Sequence, residues 1–296
     1  MKKIFFILFI STLHILTGCA KYEDGTQLPY VVGTVDADKD LKDLIDNTPW
    51  VSKNISDGIV WKYYQFPNIF DSRQYINVFD IDLSKNLKFE IPYTSTADLF
   101  TASQAGERNN ADIAINGSYF GNNYGGSTVY FRHDGTVITQ TVANFDSFRE
   151  NAAFTLSASG KPSIVKKPSG GWDQVNASYV LAGGPLLVYE GKPIGQLNAV
   201  FNTTRHPRTV LGTTDDNHLL MVVIDGRSSQ SQGLTTVQLT ELMMALGCIY
   251  AVNMDGGGSS TAWTKDDGVV NHPTDNGKFD HDGQRPLGTA ITVTKQ

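Results

Sequence analysis

The stretch RHPRTVLGTTDDNHLLMVVIDGRSSQSQGLTTVQLTELMMALGCIYAVNMDGGGSST, residues 205–261, decides the fold. Arg208–Thr214 reads as a strand, Asp215, Asp216 and Asn217 as a turn, and His218–Ile224 as a second strand. The two should form an antiparallel hairpin. A polar loop follows, and then Thr235 and Gln238 at the spacing of a capping box, in which each side chain bonds the other residue's backbone amide. Leu239, Leu242, Met243 and Leu246 recur at the helical period, and Gly247 suits the C-terminal cap. Ile249–Met254 is a third strand. The order strand, helix, strand predicts a crossover whose two strands run parallel if they share a sheet. Parallel strands end at the same edge, so Asp225 and Asp255, which terminate them, should sit together where open α/β sheets bind ligands. Pairing about the hairpin turn places Arg208 opposite the end of His218–Ile224, with Arg205 just beyond. Two carboxylates and two guanidinium groups are therefore expected in one pocket.

The loop after the third strand adds to this. Gly256, Gly257 and Gly258, followed by Ser259 and Ser260, let backbone amides turn toward a ligand, as phosphate-binding nests do. Arginine is the preferred side chain for bidentate contact with phosphate. Plainer readings compete: Asp225-Gly226 as a simple turn, the glycines as a flexible connector, the arginines as a solvated pair. His206 ranks below the aspartates as an acid–base group. The glycine run is neither a Walker motif nor a nucleophile elbow, because the spacing of both is missing. Asp275, Asp280, His281 and Asp282 could ligate a hard cation, but they lack EF-hand spacing and read better as a solvated acidic loop.

Working outward, ADIAINGSYF (111–120) reads as a buried strand ending in a polar turn at Asn116-Gly117-Ser118. YVLAGGPLLVYEGKPI (179–194) reads as two strands, with Pro185 marking an edge or a strand start. GIVWKYYQF (58–66), QYINVFDIDL (74–83) and LKFEIPY (87–93) add further strands. The fold class is α+β: a mixed, largely antiparallel β-sheet with a βαβ unit carrying the active-site loops. The net charge of −6, with no basic block, excludes a nucleic-acid partner.

The N-terminus carries a different message. Lys2 and Lys3 precede an apolar run too short to span a bilayer, and the run ends in Leu16-Thr17-Gly18-Cys19. This resembles a bacterial lipoprotein signal, in which Cys19 is acylated and becomes the mature N-terminus. Residues 1–19 are thus expected to be the signal and its cysteine, 20–50 a tether, and 51–296 one domain anchored at the cell envelope, at the outer membrane. Lys39–Asn47 has the pattern of a short helix. Cys248 is left without a disulfide partner and reads as a small buried core residue.

The segments INGSYF, AGGPLLVYEGK, TRHPRTVLGTTDDNHLLMVVIDGR, GLTTVQLTELMMALGCIYAVNMDGGGSST and QRPLGTAITV resemble, in order over 111–293, the phosphodiester glycosidases. The family includes N-acetylglucosamine-1-phosphodiester alpha-N-acetylglucosaminidase, the uncovering enzyme of animals. The resemblance implies hydrolysis of a sugar joined through its anomeric carbon to a phosphodiester. It carries over onto Asn116, Gly117, Arg208, Asp225, Gly226, Asp255, Gly256, Gly257, Gly258, Ser259, Ser260 and Arg285. No cofactor or metal is implied, and the partner is a sugar-phosphate-containing glycan or small glycoconjugate. Asp225 and Asp255 would be catalytic, and the arginines and glycine amides would hold phosphate. The alternatives are a surface lipoprotein that binds phosphorylated glycans without catalysis, and a metal-dependent phosphodiesterase cleaving the P–O bond.

Overall fold

A computed structural model describes residues 39–121 and 126–296. The lipoprotein signal, Cys19 and most of the tether lie outside the described residues.

The largest sheet runs in the order β1 (Val51–Ser56), β2 (Ile59–Ile69), β3 (Ser72–Asp82), β14 (His218–Ile224), β13 (Arg208–Thr214), β15 (Cys248–Asn253), β11 (Leu186–Tyr189), β12 (Lys192–Pro193). A second sheet is ordered β7 (Thr136–Thr139), β6 (Phe131–His133), β10 (Tyr179–Gly183), β8 (Ala152–Leu156), β9 (Pro162–Lys166). A third is ordered β17 (Gly268–Val269), β16 (Ala262–Thr264), β5 (Ile113–Asn116), β18 (Ala290–Lys295), β4 (Leu87–Glu90). Every strand pairing among the described residues is antiparallel. The helices are α1 (Lys39–Asp46), α2 (Ala102–Arg108), α3 (Val200–Thr203) and α4 (Thr236–Ala245). The α+β class holds.

The large sheet is the middle layer, which explains why β14 is apolar throughout. Successive side chains point to opposite faces of a strand. Leu219, Met221 and Val223 face a core shared with Ile113, Ile115, Phe154 and Ile291 of the smaller sheets. Leu220, Val222 and Ile224 face a second core closed by Leu41 and Ile45 of α1 and by Leu239, Leu242 and Met243 of α4. The packed body therefore begins at α1, ahead of residue 51, and the C-terminal part of the expected tether belongs to the domain.

The hairpin forms in the expected register, with Arg208 opposite Ile224, and Asn217 takes the left-handed conformation in its turn. The capping box at α4 is complete: Gln238 N donates to Thr235 Oγ1 at 3.2 Å, and Thr235 N to Gln238 Oε1 at 3.1 Å. Gly247 follows the helix at φ +85°. The crossover differs in one respect. β14 and β15 run in the same direction, but β13 lies between them and pairs with both. The result for the site is favourable: the start of β13 is clamped between the ends of two strands, so His206-Pro207-Arg208 meets Asp225 and Asp255 at one edge.

Candidate active site

Pro207 is the pivot of that edge, and it accounts for two glycines. A Cβ on Gly226 would stand 2.6 Å from Pro207 N, and one on Gly256 would stand 2.7 Å from Pro207 O. Gly257 N donates to that same oxygen at 2.8 Å. These glycines let two turns close on the start of β13. Gly226, Gly256 and Gly257 are thus engaged with protein backbone, where the sequence suggested amides aimed at phosphate. Gly258 is packed differently, since a Cβ there would collide with Asp275 and Arg285.

Asn116 and Gly117 hold Asp255 from the other side. Asn116 Nδ2 donates to the Asp255 carbonyl at 2.7 Å, and Asp255 N donates to Gly117 O at 3.3 Å. Asn116 Oδ1 accepts from Thr209 Oγ1 at 2.7 Å and from Thr261 N at 3.1 Å. This buried asparagine therefore ties β5, β13 and the glycine loop together. Ser260 joins the same network through Thr209. Gly117 is required because a Cβ would meet Thr289 at 2.3 Å.

Asp255 sits at the floor of the site and is only partly covered. Burial raises its pKa above the ordinary carboxylate value, while Ser259, Arg285, the Gly256 amide and Arg149 oppose the rise. Gly256 N bonds Asp255 Oδ1 at 2.9 Å. The Ser259 hydroxyl lies close by but completes no hydrogen bond in this arrangement.

Arg285 and Arg149 bear on this carboxyl, and Arg149 and Arg227 bear in turn on Arg208. Arg208 is almost wholly buried and its pKa falls to about 10, by desolvation first and then by repulsion from Arg149 and Arg227, against the pull of Tyr119. Its Nε donates to Leu234 O at 2.9 Å, and its Nη2 to Phe201 O at 2.8 Å and Thr204 O at 3.1 Å. Arg149 lies over the rings of Tyr119, Phe145 and Phe201 at 4.3, 4.9 and 4.6 Å, and its Nε is buried without a partner. Arg227, itself in the left-handed region at φ +59°, reaches Thr274 Oγ1 by one long contact of 3.5 Å. Neither Arg208 nor Arg227 pairs with a carboxylate among the described residues, and Arg285 is paired with Asp275 at 2.7 and 2.8 Å. Tyr119, whose pKa burial raises to about 12, donates to Gly184 O at 2.6 Å.

Three expectations need correction. Arg205 does not point into this site: its guanidinium donates to Gln232 Oε1 and Phe70 O, on the β2–β3 turn. Asp225 is at the right edge, but its side chain has no exposure, and Asn271 Nδ2, His272 N and His272 Nδ1 donate to it at 2.7–3.0 Å. Its carboxyl is taken up by these donors, and no hydrogen bond or ion pair joins it to Arg208. His206 is held neutral, its pKa lowered to about 3 by desolvation and then by Arg208 and Arg227. Cys248 is buried and burial pushes its thiol pKa up, which suits a core residue. In the acidic loop, Asp275 serves Arg285, Asp280 accepts from Asn276 and Asp282, and His281 Nδ1 contacts the Asn271 carbonyl. The carboxyls are thus spoken for separately.

Arg149, Arg227, Tyr119 and His272 were not singled out from the sequence. Arg227 directly follows Asp225-Gly226 and Tyr119 follows the Asn116 turn, so both carried a positional signal. Arg149 comes from an isolated 3₁₀ turn, Ser147–Glu150, and carried none.

The fold and this site gather a cluster of guanidinium groups and one partly covered carboxyl at a sheet edge. The family model described as phosphodiester glycosidase matches residues 109–294, and the chain belongs to that family. Among solved structures it is similar to the catalytic domain of zebrafish N-acetylglucosamine-1-phosphodiester alpha-N-acetylglucosaminidase, auto-inhibited by its pro-peptide. That likeness has a TM-score of 0.64 at 15% identity and covers 93% of this chain and 99% of that one. A hypothetical protein from Synechocystis gives 0.60 at 12% identity, over 85% of this chain and 64% of that one. At such identities the likeness establishes the fold. The SPbeta prophage-derived uncharacterized protein YomE of Bacillus subtilis is 38% identical over 79 residues, 26% of this chain and 12% of that protein.

Proposed function

We propose that this chain hydrolyses a sugar-1-phosphodiester at the glycosidic C–O bond, within a phosphorylated glycan or glycoconjugate. One observation carries the reading: Arg285 and Arg149 bear on the partly accessible Asp255 carboxyl, and next to Arg149 stands Arg208, which like Arg227 has no carboxylate partner among the described residues. Such a site holds an anion beside a nucleophile or base. A phosphodiester anion fits the arginines, and Asp255 then faces the anomeric carbon. As the C–O bond breaks, positive charge develops in the sugar and the ionised carboxylate stabilises it. Asp255 either attacks that carbon or takes a proton from the attacking water. The departing phosphate is already a weak base, and the arginines offset its growing charge.

The test is hydrolysis in ¹⁸O-labelled water. Label on the sugar hydroxyl is expected. Label in the phosphate would mean P–O cleavage, as in a metal-dependent phosphodiesterase, and would overturn the reading. Binding without turnover would favour the non-catalytic alternative. We further propose that Cys19 anchors the enzyme at the cell envelope; that residue lies outside the described part of the chain.

A further inference from the structure

The loop from Asn271 to Arg285 forms one wall of the site. Its Thr274 meets Arg227, and its Asp275 holds Arg285 against Gly258. The same loop carries His272, which the proposed chemistry has not used. We propose that His272, fixed by Asp225, donates the proton to the departing phosphate oxygen. This rests on the glycosidase reading and deepens it.

The geometry is that of an oriented imidazole. Asp225 accepts from His272 Nδ1 at 2.7 Å, and its carboxyl is locked in turn by Asn271 Nδ2 at 2.9 Å and by the His272 amide at 3.0 Å. A carboxylate on Nδ1 fixes the ring and its tautomer, leaving Nε2 to handle the proton. Nε2 has no partner among the described residues, and the side chain keeps 11% exposure. The ring cannot swing: it stacks on Phe279 at 3.7 Å and 8°, and Tyr75 of β3 meets it edge-on at 4.7 Å. The groups that face it are Asp225 and Tyr75 from the large sheet and Phe279 and His281 from its own loop, with His281 at 4.6 Å.

The chemistry balances. The C–O electron pair goes to the phosphate oxygen, which takes the proton from Nε2. Water adds to the anomeric carbon and gives its proton to Asp255. The products are the free sugar and a phosphate monoester; Asp255 releases its proton to solvent, and solvent returns one to His272. The role explains why a buried carboxylate closes β14 without touching the pocket: Asp225 is a positioning residue.

The test uses the methyl phosphodiester of N-acetyl-α-glucosamine 1-phosphate and the wild-type, His272→Gln, Asp225→Asn and doubly substituted chains. His272→Gln is expected to keep KM and to lose roughly 10²–10⁴-fold in kcat. The double variant should be no slower than His272→Gln alone, because the two residues act as a unit. A wild-type kcat in folded His272→Gln would overturn the assignment, as would a further full loss in the double variant. Should Asp225→Asn fail to fold, His272→Gln alone decides. A wild-type enzyme that leaves this diester intact would instead overturn the glycosidase reading itself.

Discussion

Arg205 and Arg208 leave the same turn and end in different places, which is the clearest limit on reading a site from spacing. Strand register brought Arg208 to the edge, as the hairpin pattern required. Side-chain direction was set by what each head could bond: Arg205 found the Phe70 carbonyl, and Arg208 found those of Leu234, Phe201 and Thr204. Arg208→Ala would therefore take a donor from the Leu234, Phe201 and Thr204 carbonyls as well as remove a charge. Its expected cost is about 3 kcal/mol or more, a fall in Tm of roughly 6 °C or more. Arg227 is the cleaner probe of phosphate binding, because one long contact holds it. Arg227→Ala should keep the wild-type Tm within about 2 °C and lower kcat/KM on a sugar-1-phosphodiester by roughly 100-fold. Unchanged kinetics would remove it from the site. Asp255 yields a prediction with a definite sign. Its folded pKa is raised, so the folded state binds that proton more tightly than the unfolded chain does. Stability is then lost as pH rises from the ordinary carboxylate value through the folded one. Asp255→Asn should raise Tm at pH 7, and the gain should vanish below pH of about 3.8, where both forms are neutral. The same variant should be nearly inactive. A lower Tm at pH 7 with the activity lost would mean that the carboxylate is a structural anchor.

At the scale of elements, the sequence was read best where a local rule had no competitor. The hairpin register followed from the turn residues and the alternation, and α4 from a capping box with apolar residues at its period. The strand–helix–strand unit was read less fully. Nothing local says that β13 inserts between β14 and β15, because that choice is made by long-range pairing. The triple glycine shows a second kind of limit. Its composition told correctly of close approach, but the approaching group is the Pro207 backbone as much as any ligand. Gly257 is at φ +62°, and a Cβ there would meet Arg227 Nη2 at 2.9 Å. Gly257→Ala should cost about 1–2 kcal/mol through the left-handed backbone, and the flexible Arg227 head should move aside. A Tm lower by a few degrees with kcat/KM reduced more than tenfold is the expected pattern. Full activity would show that the position of Arg227 does not matter to turnover.

Over the whole molecule, the candidate site and the N-terminal end of the described chain are separate problems joined by α1. The helix was legible as a pattern, but its membership of the domain was not, because Leu41 and Ile45 find partners only across the fold, on α4. Trp50 Nε1 also donates to the Ile45 carbonyl at 3.2 Å, so the link after the helix is held as well. If Cys19 is acylated, the wild-type chain should stay with the membrane fraction without detergent, and Cys19→Ala should abolish acylation of the chain. The anchor and the catalytic body should then be separable at a defined point. A chain of residues 39–296 is expected to be extractable without detergent and to match the full-length enzyme in kcat/KM. A chain of residues 51–296 removes Leu41 and Ile45, which are 6% and 4% exposed, from the core over α4. Burying two such side chains is worth about 3–6 kcal/mol, so this shorter chain should lose roughly 6 °C or more in Tm. Its active edge lies at the other end of β14, so any residue that still folds should turn over the diester normally. Equal Tm values for the two truncations would show that α1 is a passenger on the domain, and that the tether does run to residue 50.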